Sequence, residues 1–273
     1  EGDPEIMKLL RNKDFRHALA LGIDRDQLNE AFWLGVGTAG SIAPSPDTIY
    51  SPGPEYNKKW AVYDPKQAND LLDKVGLAKK DGDGYRLRSD GKGRVRLEMI
   101  TIGGQFVPFT PVGEMIKQQW KKIGIDVDIK ELERNLAFTR DNNNENQIIT
   151  WANDGSEMLF LFPRHALPVD AAEAHMGMAF AKWYASNGAA GKKPDDPEMI
   201  RAFDLFRAAY GMNDEDRTKA GKEIWRILTE QQWSIGTVGQ SPAFMGVRIV
   251  KNNMGNIPER QTNAQHVRTP HAS

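Results

Sequence analysis

Apolar residues recur three and four positions apart along much of the chain, and most of these runs are bracketed by residues that start or stop helices. Residues 13–21 put Phe15, Ala18 and Leu19 on one face, with Asp14 as a first-turn anion. Asp24 caps the next run, with Gln27 three residues on and Leu28, Ala31 and Phe32 on one side, and Gly35 and Gly37 end it. Asp64-Pro65 predicts a further start, a cap followed by proline at the first helical position. Ala68, Leu71, Leu72 and Val75 then face inward before Gly76 closes the helix. Thr110-Pro111 repeats that start ahead of Met115, Ile116, Trp120 and Ile123, with Gly124 as the C-terminal cap. A short helix is expected at 134–140. Longer ones are expected at 197–209, with Ile200, Phe203 and Phe206 as core candidates, and at 214–232, where Ala220, Ile224, Ile227 and Leu228 share a face.

Period-two alternation marks the strands. Tyr85 and Leu87, then Val95, Leu97 and Met99, read as a hairpin about a turn at 89–93, with Arg94, Arg96 and Glu98 facing out. Val127 and Ile129 alternate after Gly124, and 234–238 and 244–250 read as later strands. Residues 147–155 read as a buried strand, Ile148 to Trp151, stopped by Asn153, Asp154 and Gly155. Strand, helix, strand is the unit of a layered α/β domain. Between these elements, 40–63 loses its periodicity and gathers four prolines. It reads as an ordered loop, because Tyr50, Tyr56 and Trp60 need burial. Residues 141–146 read as a solvated turn and 188–194 as a mobile glycine- and lysine-rich loop. The tail from Lys251 has no core of its own.

The 273 residues are 40% hydrophobic, enough for one large domain or two small ones. With 36 basic and 37 acidic residues there is no electrostatic footprint for nucleic acid or an anionic membrane surface. No apolar run reaches 18 residues, and residues 1–11 lack the basic start and apolar core of a signal peptide. The absence of cysteine excludes disulfides, thiolate zinc sites and a cysteine nucleophile, and suits a periplasmic chain as well as a cytosolic one.

Catalytic chemistry is hard to find. No nucleophile has a base in sequence reach, and the five histidines fall at no ligand spacing; His17 reads as a half-exposed structural residue within a helix. Asp81-Gly82-Asp83-Gly84 lacks the third oxygen ligand and the closing glutamate of a calcium loop, and Gly35-x-Gly37 lacks the context of a phosphate loop. No metal or cofactor site is therefore expected. Of seven tryptophans, Trp120 and Trp225 lie within long helices and read as core, whereas Trp33, Trp60, Trp151, Trp183 and Trp233 lie near element ends or in loops. There an exposed ring offers a flat face to a sugar or a peptide side chain. Trp151 and Asp154, at the carboxyl end of a strand, make a binding edge in one reading, and a core-capping ring with an Asx turn in the other.

The order of motifs resembles a known family over nearly the whole chain. The carriers are Phe15-Arg16-His17-Ala18-Leu19 through Asn29, Tyr63-Asp64-Pro65-Lys66-Gln67-Ala68 with Leu71-Leu72, Gln118-Gln119-Trp120 through Val127, and the end at 224–233. They look like the extracytoplasmic solute-binding proteins of family 5, which serve ABC importers of oligopeptides, dipeptides, nickel and, in one branch, oligosaccharides. The resemblance implies an α/β fold, the second (C-terminal) lobe of a two-lobed periplasmic binding protein, with a mixed sheet flanked by helices. Residues 1–251 would form that lobe and 252–273 would return to a missing N-terminal lobe, the secretion signal lying outside this chain. The function implied is capture of an oligopeptide or oligosaccharide between lobes and delivery to a membrane permease, without catalysis, cofactor or nucleic acid.

The family's oligopeptide binders carry a Trp, then Ala two residues on, then Asp, lining the cleft. Trp151 and Asp154 match that pattern and Asn153 replaces the Ala. Their arginine before the Trp is Ile148 here, with Arg140 only an approximate match. Residues 183–188 and 233–239 look closer to the cello-oligosaccharide branch. The expected ligand-binding set is Trp151, Asp154, Asn153, Trp183 and Trp33. Two further classes stay open: a carbohydrate- or peptide-active enzyme domain, whose signature is paired acids at a cleft, and a binding protein acting as receptor or chaperone.

Overall fold

The computed structural model describes residues 2–153, 158–239 and 251–255. Helices open the chain: α1 (Pro4–Arg11), α2 (Lys13–Leu21) and α3 (Arg25–Trp33). Strand β1 (Thr38–Ala39), a 3-10 turn at Pro54–Lys58 and α4 (Pro65–Leu72) follow. Next come β2 (Arg96–Ile102), α5 (Phe109–Lys122), β3 (Asp126–Leu132), α6 (Arg134–Asn142) and β4 (Ile148–Ile149). The last third holds α7 (Met178–Ala185), α8 (Pro197–Ala208), α9 (Asp214–Gln231) and β5 (Val238–Gly239). No helix among the described residues is long and apolar enough to cross a membrane.

Strands β3, β2 and β4 form a parallel sheet in that order, with Met99 opposite both Ile129 and Ile148. A central parallel strand is covered on both faces and so becomes apolar on both. Leu97 and Met99 of β2 face one core cluster, with Phe15, Leu28, Leu72, Ile116 and Trp120, while Ile100 and Ile102 face another with Phe109 and Ala137. The half-buried hairpin read from 85–99 is thereby corrected: its antiparallel pairing across the turn is the Leu87–Arg94 bridge, Arg86 bridges back to Lys80, and β2 belongs to the parallel sheet. A third cluster packs α8 and α9 around Trp225, Phe203 and Phe206. Antiparallel strands β1 and β5 join the stretch after α3 to the stretch after α9.

Local chemistry explains most boundaries. The carboxylates of Asp24 and Asp64 accept hydrogen bonds from Gln27 N and Gln67 N, at 3.0 and 2.9 Å, and Gly76 leaves α4 with φ of 92°. Asp3-Pro4 makes the same start for α1. Thr110 does not cap α5, which begins at Phe109. Its hydroxyl instead bonds Thr101 Oγ1 at 2.8 Å, a contact between helix and strand. Helix α3 ends on Leu34, left-handed and 84% exposed, one residue before the glycine expected to end it. The loop at 188–194 is tied down rather than loose, since Lys192 N donates to Ala179 O of α7 at 2.9 Å. The strand expected at 244–250 and most of the tail lie outside the described residues.

Buried cations stitch the clusters together. Arg16 of α2 donates to Gln231 O (2.8 Å) and to Leu10 and Arg11 carbonyls, and Arg25 donates to Gly236 O (2.9 Å). Burial lowers both guanidinium pKa values to about 10, which leaves them charged near neutrality. Gly236 is needed for close approach: a Cβ there would collide with the Ser41 backbone and Ile42 N. Gly236→Ala is expected to lower the unfolding free energy by about 1–3 kcal/mol. Urea titration would measure this, and an unchanged midpoint would show that the seam yields without cost.

Candidate functional site

The carboxyl end of β4 opens on a cavity of about 1040 Å³, a volume in the range that encloses most of a small solute. Its wall gathers parts of the chain far apart in sequence: residues 38–46, 146–153, 175–178 and 232–239. Thr150 N still donates to Ile100 O (3.0 Å), so the sheet aims the chain up to that residue. Trp151, Ala152 and Asn153 then leave the sheet along the cavity, as expected at the carboxyl end of a parallel strand.

Three of the expected site residues meet there. Trp151 and Trp33 are half-buried, Asn153 is exposed, and all three line the cavity, joined by Trp233. Trp183 does not join them: it packs on the α8–α9 cluster, and its ring lies against Gly188. Asp154 lies outside the described residues. The Trp151 ring is less open than a loop position suggests. It stacks on Phe109 (centroids 5.5 Å), meets the edge of Phe138 (5.1 Å), and lies beneath the Arg134 guanidinium (5.2 Å). Arg134 is exposed at the start of α6, with no hydrogen bond among the described residues. Arg140, the approximate match for the missing arginine, is committed elsewhere, to Glu98 and Glu145 O, both at 2.9 Å.

The electrostatics of the wall are muted. Among its described residues only Arg16, Lys58 and Asp141 carry charge. Arg16 is bonded to backbone carbonyls, and Asp141 is bonded to His175 Nδ1 (2.8 Å) and Asn146 Nδ2 (3.1 Å). The other polar side chains among the described lining residues include the imidazoles of His165 and His175 and amides and hydroxyls such as Asn144, Gln147, Thr150, Asn153, Ser234 and Thr237.

Asp141, His165 and His175 also line the cavity, outside the set expected from the sequence. The sequence places Asp141 in a solvated turn, but it is 4% exposed, at the end of α6. The two imidazoles, ten residues apart, stack at 5.3 Å. Only the tertiary fold brings α6 against 165–175, so no spacing in the sequence announces the pair.

The family model for bacterial extracellular solute-binding proteins, family 5 Middle, matches residues 7–162. The chain belongs to this family. A curated relative of this family 5 chain, the periplasmic alpha-galactoside-binding protein of Rhizobium meliloti (strain 1021), is 26% identical over 268 residues, covering 94% of this chain and 36% of the relative. The solved oligopeptide-binding protein OppA is 28% identical with a TM-score of 0.79, over 88% of this chain and 39% of that one. The periplasmic binding protein MelB of Agrobacterium fabrum C58, solved with stachyose, shares the fold at a TM-score of 0.69 and 20% identity, over 87% of this chain and 35% of that one. The chain thus spans little more than a third of the length of these relatives. Its fold is that of one lobe of such a protein.

Proposed function

We propose that this chain is the second lobe of the substrate-binding component of an ABC importer. Residues 1–251 form the lobe, and 252–273 return to a first lobe. In the periplasm the two lobes close on a neutral oligosaccharide and deliver it to a membrane permease, without catalysis. The observation that carries this reading is the wall: tryptophans 33, 151 and 233 among amides and hydroxyls, with Arg16 and Asp141 already paired within the protein and Lys58 exposed to water. Apolar sugar faces pack on rings and sugar hydroxyls pair with neutral dipoles, whereas a zwitterion needs opposed charges to replace its water. The likeness to an alpha-galactoside-binding protein supports the same choice.

An oligopeptide is the second reading, and Arg134 favours it. A guanidinium beside Trp151 with its donors uncommitted among the described residues suits a carboxylate.

Isothermal titration of the full-length protein with stachyose and with trialanine separates the two readings. Stachyose binding is expected; binding of trialanine alone, abolished by Arg134→Ala, would overturn the sugar reading. Asn153→Ala is expected to weaken stachyose binding roughly tenfold, the worth of about one hydrogen bond, with the apo melting temperature unchanged because the side chain is exposed. Trp151→Ala is a poorer probe, since so packed a ring supports the fold as well as the cavity. If Asn153→Ala binds stachyose like the wild type, Asn153 has no place in the site.

A further inference from the structure

We propose that the Asp141–His175 pair is a hydrogen-bonding anchor of the cavity, His175 receiving a solute hydroxyl at Nε2 while Asp141 holds the ring; this rests on the capture reading above. Asp141 Oδ2 lies 2.8 Å from His175 Nδ1, and its other oxygen accepts from Asn146 Nδ2. A carboxylate only accepts hydrogen bonds, so the hydrogen of the neutral imidazole sits on Nδ1 and a lone pair is left on Nε2. No described group engages Nε2, and His175 lines the cavity.

The ring cannot turn freely. It stacks on His165, tilts against Phe138 at 5.2 Å and faces Trp151 at 6.1 Å. A side chain fixed by three rings and a carboxylate loses little further freedom when a solute arrives. A metal role is not supported, since no group of three potential ligands comes together among the described residues. A purely structural pair has no need to present its second nitrogen to a cavity. Among described lining residues with so few charges, the partner suited to that lone pair is the hydroxyl of a neutral solute, and Trp151 lies beside the ring to pack the solute's apolar face.

The test uses full-length protein with 15N-labelled histidine, titrated with stachyose and separately with trialanine, in the wild type and in His175→Phe and Asp141→Asn. Phenylalanine keeps the ring stack and removes both nitrogens; apo melting curves report whether each variant folds. Stachyose is expected to move the His175 Nε2 resonance. His175→Phe is expected to lose about tenfold or more in affinity. Asp141 is a positioning residue, so Asp141→Asn is expected to weaken binding and change the tautomer signature of His175 in the free protein.

Wild-type binding with an unmoved Nε2 resonance, or His175→Phe binding within twofold of wild type, would overturn the anchor and leave the capture reading standing. Movement of Nε2 by trialanine alone would overturn the hydroxyl assignment together with the sugar reading. No binding of either probe by the wild type would overturn the capture reading and, with it, the anchor.

Discussion

Replacing Arg86 by alanine is expected to lower the unfolding free energy by about 3–5 kcal/mol, the range for breaking a buried charged cluster from one side. Arg86 is 1% exposed, and its guanidinium joins three stretches of chain. Nε donates to Ile123 O at the end of α5 (2.8 Å), Nη1 to Leu77 O (2.5 Å), and Nη2 to Asn69 O and Oδ1 in α4 (3.2 and 2.7 Å). Nη1 also pairs with Asp73 at 2.5 Å. Carbonyls at helix ends have no partner inside the helix, and here they are met by a cation from another segment. Alanine would leave the Ile123 and Leu77 carbonyls without this donor. The half-exposed Asp73 would recover water, so the cost falls on the carbonyls. Lysine is expected to recover only part, because a single ammonium cannot span three directions. Urea denaturation measures both variants; a loss under about 1 kcal/mol for alanine would show that water replaces the clasp.

Arg86 also marks where the sequence stops being legible. By alternation with Tyr85 and Leu87 it belongs on a solvent face, and nothing local says that two helix ends need its donors. Features written in adjacent residues were readable: the Asp24 and Asp64 caps, the faces of α2 and α9, and the burial of Trp120 and Trp225. Even Asp3-Pro4 carried the same start signal as Asp64-Pro65, although α1 was not expected. Parallel strand order was not readable, because β2 pairs with strands that follow it by some 30 and 50 residues. The cavity lining divides along the same line. Trp151 and Asn153 are legible as the abrupt end of a strand, whereas Asp141 and His175 meet only through the packing of α6. Trp183, expected in the site from its place near an element end, packs on the α8–α9 cluster, a contact that only the tertiary fold sets.

The other large effect is expected with pH. His17, half-exposed by its place in the sequence pattern, is in fact 2% exposed, stacked on Trp60 with centroids 3.6 Å apart, and its Nε2 donates to Glu230 O at 2.7 Å. Burial lowers its pKa to about 4, and the nearby Lys13 and Arg16 charges push the same way, against the Glu230 hydrogen bond and Asp14. Glu230 is engaged in turn by Lys59 and by the Trp60 indole. Above pH 6.5 neither the folded nor the unfolded chain protonates this residue, and its neutral form contributes no pH dependence. As pH falls from 6.5 towards 4 the unfolded chain binds a proton that the folded chain refuses, so stability falls; below 4 both states are protonated and the slope ends. The loss from this one group is about 2 kcal/mol between pH 7.5 and 5, and roughly 1 kcal/mol more by pH 4. His17→Phe keeps a ring against Trp60 and cannot titrate, so its stability is expected to stay flatter than that of the wild type between pH 7.5 and 5. The carboxylates held low by basic partners, such as Asp3 beside Arg88 and Glu223 beside Arg226, remain ionised there and add little slope of their own. Urea midpoints of the two proteins across that window decide the matter: parallel curves would mean that His17 accepts a proton in the folded state and that its burial against Trp60 does not exclude the charge.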